Sequence, residues 1–295
     1  MRYIFILFLF IGLPDAFSQF FPSSISGLRL WCASDSVMGS GGVSQWDDLS
    51  GQGNNFYQSV AGNQPSKVAS VSKLNNHPVI RFDGTDDVLL CDSLVNVGSA
   101  FVVLNWGGGG INFPEYCGIL THKNIGPSSI IFGAEGGTSD ISGGGIFGSQ
   151  IFINNNAGIS FVPLDRYKIL FGSTNISMPF SSLMIGNDRG VGGRYWNGDI
   201  AEIIVYDTLL TSVQREQVEQ YLRYKYAPPV NLGADITVNY GFCATKLNAH
   251  KDWFTSYAWS TSQTTDSILP DKSGEYSVDV TDIFGYSSSD TIKIT

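Results

Sequence analysis

The chain has 295 residues, of which 43% are hydrophobic, and it carries 17 basic against 26 acidic side chains for a net charge of -9. Because no Lys/Arg cluster interrupts this acidic balance, nucleic acid and anionic membrane surfaces are disfavoured as partners. The length allows two domains, and the 34 glycines with only 15% charged residues are typical of a loop-rich all-β protein.

The first segment has the pattern of a secretory signal peptide. One cation, Arg2, precedes an apolar run from Ile4 to Leu13, and Ala16-Phe17-Ser18 precedes a cleavage site expected after Ser18. The apolar run is about half the ~20 residues that a membrane helix needs, which argues against a membrane anchor. We therefore expect a secreted or cell-surface protein with no membrane insertion once the signal is removed.

Short apolar runs alternate with turn clusters from residue 23 to about residue 206. Runs rich in Val, Ile, Phe and Tyr predict strands, and glycine loops at 107–110 and 143–145 argue against helices between them. Many short strands with frequent turns predict an antiparallel sandwich. The predicted strands are 28–31, 79–82, 101–106, 130–132, 151–153, 168–171, 183–185 and 200–206.

One helix is predicted, from Thr211 to about Tyr226. Thr211 and Gln214 have the spacing of a capping box, which satisfies unpaired amides at a helix start. Pro228 and Pro229 end the helix. Four residues at helical spacing form one stripe expected to pack against the sandwich: Val218, Tyr221, Leu222 and Lys225.

Three motifs stand in a fixed order along the chain. They are Trp-Asp-Asp-Leu-Ser-Gly-Gln-Gly-Asn-Asn at 46–55, Arg-Phe-Asp-Gly-Thr-Asp-Asp at 81–87 and Trp-Asn-Gly-Asp-Ile-Ala-Glu-Ile-Ile-Val-Tyr-Asp at 196–207. Together they resemble the laminin G-like branch of the concanavalin A-like lectin and glucanase superfamily, over residues 25 to about 226. The resemblance implies an all-β, two-sheet antiparallel jelly-roll sandwich with one C-terminal helix. We therefore expect a signal peptide at 1–18, the sandwich at 19–226 and a linker at 227–230.

Residues 231–295 form a second module, in which strands are expected near 235–238, 257–259, 276–280 and 291–294. The phrases at 232–235, 257–261 and 274–282 resemble the immunoglobulin-like repeats of secreted adhesins and enzymes from gliding bacteria. This resemblance implies a small immunoglobulin-like β-sandwich that acts as a spacer. Such repeats often pair a cysteine near the position of Cys243 with a later one, but Tyr286 stands at that later place, so Cys243 is expected to be unpaired.

The four cysteines, Cys32, Cys91, Cys117 and Cys243, allow three full pairings, and the sequence selects none of them. Export permits disulfides. Cys32 follows Trp31 in an apolar strand, so a buried free thiol is at least as well supported for it as a disulfide bridge.

Calcium is the cofactor most worth testing, because Ca²⁺ takes about six to eight oxygen ligands and acidic loops at a sandwich rim supply them. The best cluster is Asp83, Asp86 and Asp87, with Asp188 of the loop at 186–190 as a further ligand. The alternative is structural, because Asp-Gly is a tight-turn signal and Asp side chains bond local amides. The spacing matches no complete calcium loop. The turn at 46–55 is expected to be a rigid corner without a ligand.

Carbohydrate is bound by exposed aromatic faces together with amide and carboxylate groups that satisfy sugar hydroxyls. Trp106, which precedes four glycines, is the aromatic residue that the sequence favours, with Tyr116 and Tyr195 behind it. The alternative for Trp106 is inward packing at the end of a strand. Trp46 and Trp196 are expected in the core.

Catalysis finds little support in the sequence. Glucanases of the resembled superfamily carry Glu-x-Asp-x-x-Glu along one strand, so that two carboxylates reach the cleft, and this motif is absent. Glu202 is the only internal carboxylate of the acidic strand at 199–207. The three histidines are scattered and form no zinc ligand set.

The sequence therefore predicts a secreted or cell-surface, non-catalytic binding or adhesion module whose partner is a glycan or an extracellular protein. Two alternatives stay open. One is a polysaccharide-degrading glycosidase or lyase with an unrecognised set of residues on the sandwich face. The other is a purely structural adhesin segment without a small ligand.

Overall fold

The structure is a computed structural model that describes residues 20–37, 41–93, 95–123, 130–143, 150–239 and 245–295. The expected signal peptide at 1–18, most of the expected loop at 143–145 and Cys243 lie outside these residues. No helix in the described part of the chain has the length and apolar character needed to cross a membrane.

The described residues form one α-helix, α1 (Ser212–Tyr226), and twenty β-strands, which confirms the all-β class with a single helix. The strands are β1 (Leu28–Ala33), β2 (Gln45–Trp46), β3 (Phe56–Tyr57), β4 (Ser66–Val71), β5 (His77–Asp83), β6 (Leu89–Cys91), β7 (Val95–Trp106), β8 (Cys117–His122), β9 (Ile130–Ala134), β10 (Ile141–Ser142), β11 (Ile151–Ile153), β12 (Asn156–Ala157), β13 (Lys168–Phe180), β14 (Leu183–Ile185), β15 (Asn197–Tyr206), β16 (Leu247–Asn248), β17 (Phe254–Trp259), β18 (Ser267–Ile268), β19 (Gly274–Asp282) and β20 (Ser287–Ile294).

Two antiparallel sheets form the predicted sandwich. The larger sheet has eight strands in the order β12-β11-β13-β7-β15-β5-β4, with β1 also paired to β15. The smaller sheet has seven strands in the order β10-β9-β8-β14-β6-β3-β2. Many neighbouring strands within each sheet are distant in sequence, so the chain crosses repeatedly between the two layers.

The space between the sheets is filled by side chains that alternate along the strands. On β15, Ile203 and Val205 belong to the core between the sheets, whereas Ile204 and Tyr206 belong to a second cluster on the outer face. Because both faces of β15 are buried, its sequence reads as a nearly continuous apolar run. Three cysteines in the core are free, buried thiols, so no bridge joins any of them: Cys32, Cys91 and Cys117.

Helix α1 covers the outer face of the eight-stranded sheet. Thr211 Oγ1 accepts a hydrogen bond from Gln214 N (3.3 Å), and Gln214 Oε1 accepts one from Thr211 N (3.0 Å), so the expected capping box is present. The helix buries Val218, Leu222 and Tyr226 in one hydrophobic cluster with the outward residues of β7 and β15.

The C-terminal residues add a three-stranded sheet, β17-β19-β20, and a two-stranded sheet, β16-β18. Tyr276, Val278 and Val280 of β19 are buried, as their alternation predicts. In place of the strand expected near 235–238, the structure has a single bridge between Ile236 and Ile294. The buried residues of these sheets belong to the same hydrophobic cluster as α1. Both α1 and the C-terminal sheets therefore pack against the outer side of the eight-stranded sheet.

Charged side chains join α1 to its surroundings. Arg223 Nε donates to Asp282 Oδ2 (2.8 Å), and its guanidinium lies 4.8 Å from the centroid of the Tyr286 ring. Arg215 Nη1 donates to Glu219 Oε1 (3.3 Å). Within the described residues, Glu219 Oε2 and Tyr286 OH are buried without a hydrogen bond.

Stability is expected to fall with rising pH because of Glu219. Burial raises the pKa of Glu219 from 4.5 to about 7, and Glu216 adds to the rise against the opposing effect of Arg215. Between these two values the folded state keeps a proton that the unfolded chain has lost, so this contribution to stability disappears as the pH rises through the window.

Thermal melts from about pH 5 to 7.5 should show a smaller fall in Tm for Glu219→Gln than for the wild type. Glu275→Gln, at an exposed position on β19 away from Glu219, should retain the wild-type slope, and equal slopes in all three proteins would contradict this account.

Candidate functional site

The seven-stranded sheet turns its second face away from the core. Phe56 of β3 lies in the core, so its neighbour Tyr57 points outward. Exposure falls along a row of cross-strand neighbours from 49% at Tyr57 to 0% at Thr121. The row runs over β3, β6, β14 and β8 and consists of Tyr57, Leu90, Met184 and Thr121.

Polar side chains surround the exposed end of this row. Asn55 Nδ2 donates to Tyr57 OH (2.9 Å), which orients the ring. Gln45 lies directly across from Tyr57 in the β2–β3 pair, and its Nε2 donates to Asp47 Oδ1. We call Gln45, Asp47, Asn55, Tyr57 and Leu90 the Tyr57 patch. The patch combines an exposed aromatic ring with two amides and a carboxylate, the groups that pack on sugar rings and bond their hydroxyls.

The motif at 46–55 builds the corner that carries this patch. Asp48 Oδ1 accepts hydrogen bonds from Trp31 N and Ser50 N, both at 2.9 Å. Asp48 Oδ2 accepts from Asn54 N (2.9 Å), and Asp48 N donates to Asn55 Oδ1 (2.8 Å). The carboxylate is therefore engaged by the amides of its own turn, as the rigid-corner interpretation predicts.

The covered end of the row lies under the loop at 186–196. Thr121 Oγ1 donates to Asn187 O (2.8 Å) and accepts from Arg189 N (3.3 Å). A Cβ at Gly118 would lie 2.0 Å from Asn187 O and 2.3 Å from Asp188 N. Glycine at this point of β8 is what lets the loop rest directly on the sheet.

Asp188 belongs to that loop and is engaged by two arginines. Arg189 binds it through Nε–Oδ1 (2.6 Å) and Nη2–Oδ2 (3.0 Å), and Arg194 Nη1 donates to Oδ2 (2.9 Å). Burial alone raises the pKa of Asp188, but the hydrogen bonds from Arg189 and Arg194 lower it below its ordinary value. The structure does not bring Asp188 into the aspartate cluster with which the sequence grouped it, and the two guanidinium groups offset the charge that a cation would need.

The two tyrosines selected from the sequence flank the same loop. Tyr116 is 46% exposed, and the guanidinium of Arg194 lies 5.0 Å from its ring centroid. Tyr195 is half-buried and forms an isolated bridge with Asn187. Tyr116 and Arg194 thus form a second aromatic and polar surface at the covered end of the row.

Trp106 does not form an exposed platform, which corrects the first choice made from the sequence. The residue is only 3% exposed, and its ring meets Phe113 and Trp196 edge-on at centroid distances of 5.2 and 5.1 Å. Its Nε1 donates to Gly109 O (3.0 Å). Inward packing occurs because Trp106 shares one side of β7 with Leu104, which faces the core.

The aspartate cluster lies where the chain leaves β5 for β6. Asp83, Asp86 and Asp87 each place one oxygen within 4.8 Å of the others. Thr85 N donates to Asp83 Oδ1 (2.7 Å), and Asp83 N donates to Asp87 Oδ2 (2.8 Å), so the side chains also stabilise their own turn. Burial raises the pKa of Asp87 to about 6, and the charges of Asp83 and Asp86 add to the rise. Three carboxylates suit a hard divalent cation, although Ca²⁺ takes about six to eight oxygens.

Sequence reasoning missed Tyr57 as well as the two arginines that bind Asp188. The signal for Tyr57 was the pair Phe56-Tyr57 beside the 46–55 turn, because adjacent aromatic residues in a strand must face opposite sides. No comparable local signal marks Arg189 and Arg194, whose contacts depend on the path of the loop.

No family model matches the chain, and no curated protein matches it. Among solved structures, the chain is similar to a Trypanosoma rangeli sialidase in complex with sialic acid, with 11% identity and a TM-score of 0.38 over 68% of this chain and 33% of that chain. It is also similar to a mutant GH54 a-l-arabinofuranosidase soaked with 4-nitrophenyl a-l-arabinofuranoside, with 10% identity and a TM-score of 0.42 over 78% of this chain and 60% of that chain. The chain therefore spans less than two thirds of either protein, and TM-scores this low bear on neither its fold nor its activity.

Proposed function

We propose that this chain is a secreted or cell-surface, non-catalytic module that binds a glycan through the outer face of its seven-stranded sheet. The observation that carries the proposal is the exposed ring of Tyr57, oriented by Asn55 and flanked by Gln45 and Asp47. An aromatic face stacks on the apolar side of a sugar ring while amide and carboxylate groups bond the hydroxyls.

The shape of this surface favours an extended ligand. Four adjacent strands carry the row from Tyr57 to Thr121, which is roughly 14 Å long at a strand spacing of ~4.8 Å. Its Tyr57 end is exposed, and the loop at 186–196 covers its Thr121 end. Among the described residues, α1 and the C-terminal sheets pack on the outer face of the eight-stranded sheet. An oligosaccharide chain that runs from the open strands onto the loop at 186–196 would contact the Tyr57 patch at one end and the Tyr116–Arg194 pair at the other.

Binding is favoured over catalysis by the composition of the open sheet. All seven of its strands are described, and none contains Asp or Glu. Glycoside hydrolysis generally needs two carboxylates about 5 to 9.5 Å apart across the scissile bond. The glycosidase or lyase alternative would need carboxylates from the loops, and the purely structural alternative would leave the Tyr57 patch without a ligand.

The wider proposal includes a laminin G-like identity for the sandwich, export by the segment at 1–18 and a spacer role for the immunoglobulin-like module at 231–295. Calcium at Asp83, Asp86 and Asp87 is part of it. The three clustered carboxylates and the raised pKa of Asp87, caused first by burial and then by its two acidic neighbours, support a cation that would offset their repulsion.

A glycan array on residues 19–295, run in calcium and again in chelator, tests this function. Tyr57→Ala is expected to weaken binding at least tenfold, about 1.4 kcal/mol. Tyr224→Ala, which removes another exposed tyrosine on α1, serves as the matched control and should bind like the wild type. Binding lost in chelator would support the calcium site, whereas binding that depends on Tyr57 but not on calcium would reject that part alone. No glycan bound, or equal binding by Tyr57→Ala, would reject the glycan-binding proposal.

A further inference from the structure

A cavity of about 350 Å³ lies at the edge of the eight-stranded sheet formed by β12, β11 and β13. The Tyr57 patch lies on the other sheet of the sandwich. It is open to solvent on one side and is lined by the β11–β12 hairpin, the segment at 158–162, Lys168 at the start of β13 and the turn at 284–285. The volume falls within the range of small-molecule sites, about 300 to 1,000 Å³.

Lys168 is the feature of this cavity that requires an explanation. The residue is only 4% exposed. Within the described residues, Nζ donates one long hydrogen bond to Val162 O (3.4 Å), and no carboxylate oxygen lies within 4.0 Å of it. The effective cost of burying an unpaired ammonium is several kcal/mol. A lysine in this position therefore gains from any anion that enters the cavity.

The charge on Lys168 persists at neutral pH. The pKa of Lys168 is lowered to about 8, first by burial and then by the charge of Arg166, while Asp165 opposes both effects. The Phe161 ring, whose centroid is 5.6 Å from Nζ, adds only a weak attraction. At pH 7 the cavity thus presents a cation that its surroundings do not neutralise.

The rest of the lining suits a polar ligand that carries a single anionic group. Asn156 and Ser160 add an amide and a hydroxyl, while Val162 and Phe284 add apolar surface. A Cβ at Gly158 would meet nothing within 4 Å, so the space beside this residue is open. The cavity therefore offers one cation, hydrogen-bonding groups and space on the scale of a single sugar ring.

We propose that this cavity binds a sugar acid, with the ligand's carboxylate on Lys168 Nζ and its hydroxyl groups on Asn156 and Ser160. The carboxylate would supply the charge-assisted hydrogen bonds that Lys168 lacks. This site is separate from the Tyr57 patch and does not depend on the function proposed for that surface.

Titration calorimetry of residues 19–295 with glucuronate, its methyl ester and glucose tests the proposal. Glucuronate is expected to bind at least tenfold more tightly than the ester or glucose, because only the acid carries the anion. Lys168→Met should abolish the preference and Lys168→Arg should retain part of it. Ala157→Trp, which fills the cavity from β12 without changing its charge, should block binding, and Tyr57→Ala should leave it unchanged.

Two further measurements identify the mechanism and the source of the ligand. Affinity for glucuronate should fall as the pH rises above about 8, where Lys168 loses its proton. Tighter binding of an oligogalacturonide than of the free sugar acid would identify a polysaccharide terminus, and the reverse would identify a free sugar acid. Equal binding of acid and ester, or unchanged binding by a Lys168→Met variant with a native circular dichroism spectrum, would overturn the proposal.

Discussion

The Glu202→Ala variant is expected to lose about 3 to 5 kcal/mol of unfolding free energy, the usual cost of breaking a buried ion pair by removing one partner. Glu202 is 1% exposed on β15, where α1 packs on the sheet. Lys225 Nζ donates to its Oε2 at 2.7 Å and also to Asp35 Oδ2 at 2.8 Å. Burial alone lowers the pKa of Lys225, but Glu202 and Asp35 together raise it above its ordinary value. The pair therefore holds the end of α1 on the sheet.

Three further donors depend on the same carboxylate. Trp31 Nε1 donates to Oε1 at 2.7 Å, Tyr221 OH donates to Oε1 at 2.9 Å, and Tyr226 OH donates to Oε2 at 2.8 Å. Truncation to alanine would remove this acceptor from the partly buried Trp31 Nε1 and Tyr221 OH and leave Tyr226 OH with its longer hydrogen bond to Ala201 O (3.4 Å). A buried group left without a partner costs about 1 to 3 kcal/mol. Water entering the space left by the side chain would recover part of this loss, which is why the expected total stays below the sum.

Urea unfolding of the wild type and variants measures the loss. Glu202→Gln keeps one acceptor oxygen but removes the charge, so it should fall between the wild type and Glu202→Ala. Glu216→Ala removes an exposed carboxylate of α1 and should change stability by less than about 0.5 kcal/mol. A loss below 1 kcal/mol for Glu202→Ala would mean that the network around this carboxylate contributes little.

Local sequence rules were sufficient to predict the strands, the helix and the turns. They were not sufficient to predict which side of a strand each side chain occupies. The capping box at Thr211 and Gln214, the alternation in β19 and the rigid corner around Asp48 each depend on residues close in sequence, and each was predicted. The orientation of Trp106 was not settled, because both faces of β7 are buried and its apolar run gives no alternation to read.

The chemistry of the candidate sites depended on contacts between distant segments. Glu202 could be recognised from the sequence as the only internal carboxylate of the predicted strand at 199–207, although β15 itself also includes Asp199. Its role required the register that brings β1, β15 and α1 together. Lys168 carried no signal at all, because its burial results from a hairpin, a loop and a C-terminal turn that meet only in three dimensions. The aspartate cluster was predicted because its three members lie within five residues of chain.

The Gly118→Ala variant is expected to lose about 3 kcal/mol of stability, at the upper end of the usual cost of overpacking. Its new Cβ would lie 2.0 Å from Asn187 O and 2.1 Å from Asn187 C, and both are backbone atoms that cannot rotate away. The loop at 186–196 must therefore lift from β8, which breaks the hydrogen bond from Thr121 Oγ1 to Asn187 O.

Displacing the loop at 186–196 also tests which part of the sheet face contacts the glycan. Lifting the loop moves Arg194 relative to Tyr116 but leaves the Tyr57 patch, which is held by the 46–55 turn, in place. Gly192→Ala is the matched control, because its Cβ would meet nothing within 4 Å in the same loop, and it should melt like the wild type. If Gly118→Ala binds glycan as well as the wild type at a temperature where both are folded, the ligand contacts the Tyr57 end of the row alone. Weaker binding would extend the contact to the loop, because the Tyr116–Arg194 surface would be the part of the face that has changed.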